Sequence, residues 1–494
     1  MDASTLDGNI DAIERYIREG EAGRGGSGLL GFELEHFVVD ARTNALVPYA
    51  SSPDYSRPGV EDVLARLSPL YEGESRTADS NGCEHIVGLV RNGAPITIEP
   101  GAQIEVSIGP CRSIAQIEDR YRRFRSEVDP VLDEMGYRLA TLGYHPTACA
   151  CDIPLIPKRR YTMMDERFRS TGSHGICMMR GSASTQVSID YDDEADAVTK
   201  MQVATAIGPL LYFVLDNAPV FEGERVGVAT GDAVAAGSRV SQRSGLAIPQ
   251  RMARAAIWND VDADRAMGAS FLFESDPGYR SYATMLMARP PILALERPGD
   301  DSSAVWHGSE PASQVFAGKT LTRSDIEHIL SMFFFDVRLK QYIEIRQPDS
   351  MPIEYGLAFA AMVRGIFYGK GDPADGARAL TPLAKLHDEL EAAGVFSPDG
   401  PAMIAQAKAD LASHGYEANV YGRSAAGWLD ELLALAREGL QSLAPAAQAT
   451  CSNPSPTAQA TCSTTAQAAP DSAYLEPLAA LISHRTTLVE HPSV

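Results

Sequence analysis

Four stretches far apart in the chain alternate apolar and polar residues with the two-residue period of a β-strand. They are GFELEHFVVD at 31–40, ITIEPGAQIEVSI at 96–108, STQVSID at 184–190 and VRLKQYIEIR at 337–346. On this period Glu33 shares a face with Glu35, Gln103 with Glu105, Gln186 with Asp190, and Glu344 with Arg346. The opposite faces carry Leu34, Ile104, Val106, Val187, Ile189, Ile343 and Ile345, which predict a core beneath a polar surface. If the strands share one sheet, its polar face gathers four or more carboxylates, which repel one another unless a cation lies among them. Oxygen donors with few histidines point to magnesium rather than zinc.

Helical periods fill the intervals. Ile10, Ile13 and Ile17 predict a helix at 10–19, and a Gly-rich turn at 23–28 leads into the first acidic strand. Ile114, Ile117, Tyr121, Phe124, Val128 and Leu132 form the buried stripe of a long helix, followed by a strand near 138–146 and a Pro-rich irregular stretch to 160. Residues 199–216 read as a buried helix, 226–282 as mixed loops and helices, 324–335 as a helix leading to the last acidic strand, and 354–440 as Ala/Leu-rich helices. From about 443 the composition shifts to Ala, Gln, Ser, Thr and Pro, with the near-repeat AQATCSNPSPT and AQATCSTTAQ. Such a segment buries too little apolar surface to order itself, so 443–472 reads as a disordered linker and 473–494 as a weak helix at most. The expected organisation is one catalytic domain over 1–442 and a low-complexity tail over 443–494.

With 494 residues and 45% hydrophobic content the chain can bury a large core. The acidic, polar N-terminus and the lack of an apolar run of about 18 residues predict a soluble protein without leader or span, placed in the cytoplasm. Seven scattered cysteines fit reduced thiols better than a disulfide framework, and Cys149 with Cys151 lacks a second Cys or His pair at ligand spacing. A net charge of -22 argues against nucleic acid as a partner. Oligomeric state is not legible.

Several short patterns lack their context. GRGGSG at 23–28 and GSGLLG at 26–31 sit between helix and strand in the wrong order for a dinucleotide fingerprint. AGKT at 317–320 has Ser313 where a phosphate loop needs its leading Gly, and NDVDADR at 259–265 has Arg265 where a calcium loop needs Gly. His36, His85 and His145 stand singly and read as structural residues.

The acidic strands resemble those of the glutamate-cysteine ligases, in the plant-type branch shared with many bacteria, within the glutamine-synthetase-like carboxylate-amine ligases. The resemblance rests on GFELEHFVVD, ITIEPGAQIEVSIGP, DIPLIPKRRYTMMDERF through MMRGSASTQVSIDY, and FFFDVRLKQYIEIRQPDSMP, with DNAPVFEG and RAAIWNDVDADR between them, over roughly residues 30–370. One departure is Arg180, one place earlier than the expected basic residue. The regulatory disulfides of the plant enzymes do not map onto these cysteines.

The resemblance implies an α+β fold, with a curved, mainly antiparallel sheet forming a funnel-shaped active site and helices packed outside. It implies ATP-dependent joining of L-glutamate to L-cysteine, through phosphorylation of the glutamate side-chain carboxylate and attack by the cysteine amine, as the first step toward glutathione or a related thiol. Phosphoryl transfer needs positioning and metal ions bridging phosphate oxygens more than covalent help. By position in the motifs, Glu33, Glu35, Glu99, Glu105 and Glu344 are expected to hold two or more magnesium ions, with Gln103 and Asp190 at the edge of that shell. Arg346 and Glu344 are the expected catalytic pair, Arg338, Lys340 and Arg346 the ATP-phosphate ligands, and Arg254, Arg160 and Gln103 the substrate contacts. A ligase with another amine acceptor and a catalytically silent protein on the same scaffold remain open alternatives.

Overall fold

The computed structural model describes residues 3–23, 28–52, 55–79, 81–226, 240–247, 249, 251–297, 303–306, 308–370, 380–443 and 470–490. Its centre is a sheet of nine strands: β1 (Leu30–Asp40), β2 (Gly73–Ala78), β3 (Glu84–Val90), β4 (Ile96–Ile98), β5 (Ile104–Cys111), β6 (Tyr137–Ala140), β7 (Thr185–Ile189), β8 (Val337–Leu339) and β9 (Ile343–Ile345). The order is β8-β9-β7-β1-β5-β4-β3-β2, with β6 paired to the far half of β1, and every pairing is antiparallel. All four alternating stretches therefore lie side by side, and the fold is α+β as expected.

Alternation decides which face is covered. Leu34, Ile104, Val106, Val187, Ile189, Ile343 and Ile345 are all buried in the main core. Helix Ile114–Met135 packs against β5 with the predicted stripe buried; the Ser113 hydroxyl accepts from the Gln116 amide at its start, and Gly136 ends it in the left-handed region. Helix Ile353–Tyr368 crosses β1 closely at Gly356, where a Cβ would stand 2.9 Å from the Phe32 ring. Helix Glu194–Val214 is long and apolar enough to cross a membrane by composition, and 89% of that stretch is buried inside this protein as a core helix.

The discounted motifs have structural uses. Lys319 of AGKT pairs with Asp325 at 2.7 Å, and Asp262 of NDVDADR pairs with buried Arg265 at 3.3 Å. His36 lies in the core between the Ile104 carbonyl (3.1 Å) and the Tyr121 hydroxyl (3.0 Å), and burial pushes its pKa down to about 3. The glycine-rich 24–27 lies outside the described residues. The helix expected over 324–335 stops early, at Arg323–Leu330, because Phe334–Phe335 pairs as a short parallel strand with Ala266–Met267.

The C-terminal expectation needs correction. Residues 444–469 lie outside the described residues, but 470–490 form ordered turns around helix Glu476–His484, and Leu475, Leu478, Leu481, Ile482 and Leu488 are buried in the main core. Arg364 pairs with Asp471 at 2.9 Å, Arg485 pairs bidentately with Asp430, and the Val489 amide donates to the Asp216 carbonyl. The spacing of those apolar residues carries the docking, which the polar composition upstream obscures.

Candidate active site

Register brings the polar residues together. Glu35 stands directly opposite Glu105 across β1 and β5, Glu105 is opposite Thr97 on β4, Glu33 is opposite Gln186 on β7, and Arg338 is opposite Glu344 in the β8–β9 hairpin. All of these but Thr97 line one cavity of about 290 Å³, together with Glu99 from the loop after β4, Lys340 and Arg346 beside the hairpin, Arg160 from helix Arg159–Thr171 and Arg254 from helix Ala253–Trp258. Of the residues singled out in the sequence, only Asp190 lies away from this cavity. It accepts from the Tyr368 hydroxyl at 2.5 Å and borders a neighbouring cavity.

The carboxylates differ in their support. Glu35 accepts from the Ser184 amide (2.7 Å), the Ser184 hydroxyl (2.8 Å) and Gln186 (3.2 Å). Glu105 accepts through one oxygen from Thr97 (2.7 Å) and Ser107 (3.1 Å). No described side chain or amide donates to the carboxylate of Glu33 or Glu99, and no described cation lies within ion-pair reach of either. Burial, then the charge of Glu105, raises the pKa of both to about 8; Glu344 adds to this at Glu33 and Glu35 at Glu99. Burial raises Glu35 and Glu105 as well. An excess of carboxylates deep in the protein, with oxygens left over, is the environment a hard divalent cation relieves.

Glu344 is the exception. Burial alone would raise it, yet Arg338, Lys340 (2.8 Å) and Arg346 (3.8 Å) outweigh that and hold it below the usual carboxylate range. Burial and the neighbouring Arg338 lower Lys340 and Arg346. The cavity thus has an acidic bank on β1, β4 and β5 and a cationic bank on the β8–β9 hairpin. Arg254 donates to the carbonyls of Gln347 (2.7 Å) and Arg346 (3.3 Å) and lies 5.6 Å from the centre of the Trp258 ring, while Arg160 donates to Ser331 (3.1 Å).

Gln103 differs from the expected substrate contact. It is 1% exposed, its amide nitrogen donates to the Ser182 carbonyl (2.8 Å) and its oxygen accepts from the Gly101 amide (2.9 Å), so it braces the β4–β5 turn against the segment before β7. Arg180, out of place in the sequence, pairs with Asp165 at 2.7 Å and supports the wall without lining it. Ser184, Thr97 and Ser107, which orient the carboxylates, escaped sequence reading. Their signal was present only as hydroxyl residues two positions from, or opposite to, an acidic one. The apolar wall of Met164, Met178, Trp258 and Phe334 had no local signal.

Comparison with known proteins identifies the family. A model of glutamate-cysteine ligase family 2 matches residues 29–394. The chain is 27% identical over 371 residues to the chloroplastic glutamate-cysteine ligase of Medicago truncatula, covering 72% of this chain and 68% of that protein. It is 26% identical over 345 residues to glutamate-cysteine ligase B of Oryza sativa subsp. japonica, covering 69% and 62%, so it spans about two thirds of the length of such relatives. Among solved structures, the complex between the prokaryotic ubiquitin-like protein Pup and its ligase PafA aligns with a TM-score of 0.37 at 9% identity, over 92% of this chain and 63% of that one. The family match covers the whole of the acidic and cationic banks, and the chain belongs to the glutamate-cysteine ligase family.

Proposed function

We propose that the protein joins the side-chain carboxylate of L-glutamate to the amine of L-cysteine at the expense of ATP, through a γ-glutamyl phosphate, and so makes γ-glutamylcysteine for glutathione or a related thiol. One observation carries this reading: four carboxylates with no ion pair among the described residues, Glu33, Glu35, Glu99 and Glu105, face three cations, Arg338, Lys340 and Arg346, across a single cavity. The donor set, all oxygen with Glu33 and Glu99 unpaired, fits magnesium. Bound there, magnesium would neutralise phosphate charge and align the transferring group.

The protein's own groups divide the remaining work. Arg338 and Lys340 would grip the ATP phosphates and Arg346 the transferring phosphoryl group, since guanidinium and ammonium donors favour the charge that spreads over its oxygens. In doing so they would leave Glu344, which is then free to act as a fifth metal ligand. Beyond Glu33 the same sheet face opens into an apolar cavity bordered by Gly31, Pro95, Ile108 and Tyr342, which suits the base and sugar of the nucleotide. Arg254 and Arg160 would hold substrate carboxylates beside the apolar wall. There Met164, Met178 and Trp258 offer apolar, polarizable ground for the cysteine thiol.

Magnesium-dependent phosphate release from ATP, measured with glutamate alone, cysteine alone and both, tests the reading. Release that requires both amino acids and yields γ-glutamylcysteine by mass is expected. Release with glutamate whatever the second amine moves the reading to another acceptor, and no release with any pair rejects it.

A further inference from the structure

Behind the apolar wall, on the inner side of the turn Cys177–Gly181 that presents Met178 and Met179 to the cavity, a second set of metal-binding side chains converges. Glu222 occupies the first central position of the tight hairpin joining Val220–Phe221 to Glu224–Arg225, with φ 53 there and φ 84 at Gly223. Asn, Asp or Gly is the usual choice for this left-handed position. A glutamate here is held inward, 1% exposed, and no described Lys, Arg or His pairs with it. Its carboxylate accepts from the Ser244 hydroxyl on one oxygen; the other lies 3.2 Å from the Cys149 sulfur and 3.9 Å from that of Cys177.

The sulfurs of Cys149 and Cys151 and a carboxylate oxygen of Asp152 all lie within 4.8 Å of one another. Cys149 is buried, whereas Cys151 and Asp152 are exposed, so the group has a closed floor and an open mouth. The Tyr144 side chain is fully buried beside Cys177 and Glu222. In the sequence Cys149 and Cys151 lack a second pair at ligand spacing; the fold supplies the missing donor from a hairpin 73 residues away.

We propose that Cys149, Cys151 and Asp152, with Glu222 against the Cys149 sulfur, form a site for one thiophilic divalent cation of the zinc or cadmium class, separate from the magnesium-type cluster. Two sulfurs and the Asp152 carboxylate supply three of the four donors such ions prefer, and Glu222, 3.2 Å from the Cys149 sulfur, is the nearest further oxygen on the buried side. A tetrahedral site with metal–sulfur bonds of about 2.3 Å and metal–oxygen bonds of about 2.0–2.2 Å spaces its donors by roughly 3.5 Å, close to the separation already present between Cys149 and Glu222. The ion would compensate the buried Glu222 carboxylate, and Arg243, paired with Asp152, would offset the remaining negative charge at the mouth.

Chelator-stripped, reduced full-length protein titrated with cadmium chloride tests this. A thiolate-to-cadmium charge-transfer absorption saturating at one ion per chain is expected. It should fall to about half in Cys151→Ser, whose exposed position keeps the fold intact, and vanish in the Cys149→Ser, Cys151→Ser double variant. Cadmium on the carboxylate cluster gives no such band, so failure here is distinguishable from failure of the catalytic reading. An undiminished band in Cys151→Ser, no band in the wild type, or a Cys149–Cys151 disulfide that takes no metal under these reducing conditions overturns the proposal.

Discussion

Glu35 on β1 and Glu105 on β5 occupy directly opposed positions of one antiparallel ladder, with like charges where cross-strand neighbours normally attract. Each is steadied by hydroxyl groups, Ser184 for Glu35 and Thr97 with Ser107 for Glu105. The hydroxyls orient the carboxylates without neutralising them. The pair makes sense as a site prepared for a cation, and it links strand register to the proposed chemistry.

Replacing Glu35 by Gln removes one charge from this pair while preserving shape and most hydrogen bonds. The metal-free variant is expected to melt at the same temperature as the wild type or a few degrees higher, because repulsion with Glu105 is relieved. Turnover should fall by roughly 100-fold or more, as expected for loss of an electrostatic group acting directly on the transferred phosphoryl or its metal. Thermal melts with and without magnesium, beside steady-state rates, check both halves; a strongly destabilised metal-free variant would contradict the account.

Glu33 and Glu99 give the metal-free protein a characteristic pH dependence. Their folded pKa values, about 8, lie above the ordinary value of 4.5. Below about 4.5 folded and unfolded chains both hold these protons; between there and about 8 the unfolded chain has released them and the folded one has not. The contribution of these groups to stability therefore falls as pH rises across that window and levels off above it. Melts from pH 5.5 to 8.5 should show this decline in chelator and a much weaker one in magnesium. Glu33→Gln should have a shallower slope than the wild type, and magnesium binding near pH 7 should release protons, measurable as a buffer-dependent binding enthalpy.

The strand faces were legible because alternation is local: Glu33, Glu35, Glu105, Glu344 and Arg346 all reach the cavity that a period of two assigned them to. Gln103 has the same periodicity and also lines it, yet its amide is used in bracing the backbone, and nothing local tells a brace from a ligand. Asp190 keeps the face but sits too far along β7, a matter of register that only pairing decides. The docking of Leu475 to Leu488 was hidden by composition, since the polar repeat before it dominated the reading of the whole tail.

Arg346 donates to Gln186 and stands 3.8 Å from Glu344, between the two banks of the cavity. Lysine at this position would keep the charge but lose the planar fork that can bind two oxygens at once. Arg346→Lys is expected to lower turnover by roughly 10–100-fold, with a much smaller change in KM for ATP, because the interaction tightens as phosphoryl transfer proceeds. Steady-state rates at varied ATP check the split; an effect confined to KM would place Arg346 in ground-state binding of the nucleotide.

Removing residues from 444 onward deletes the polar repeat together with the docked segment that follows it. Leu475, Leu478, Leu481, Ile482 and Leu488 each lie at 1% exposure or less against the helical part of the body. Burial of such side chains is worth about 1.5–3 kcal/mol apiece, opposed by the entropy of ordering the segment that carries them. The truncated protein is nevertheless left with an uncovered apolar groove and with Arg364 and Asp430 stripped of their partners. It is expected to lose about 2–4 kcal/mol of stability, roughly what exposing one or two buried leucine side chains costs, and to self-associate. Its turnover at low temperature should stay near that of the full chain, because no described residue beyond Arg346 lines the cavity. Denaturant unfolding with light scattering checks the first outcome, and rates at 10 °C and 37 °C check the second. An unchanged midpoint and no association would show that the terminal segment contributes nothing to the body.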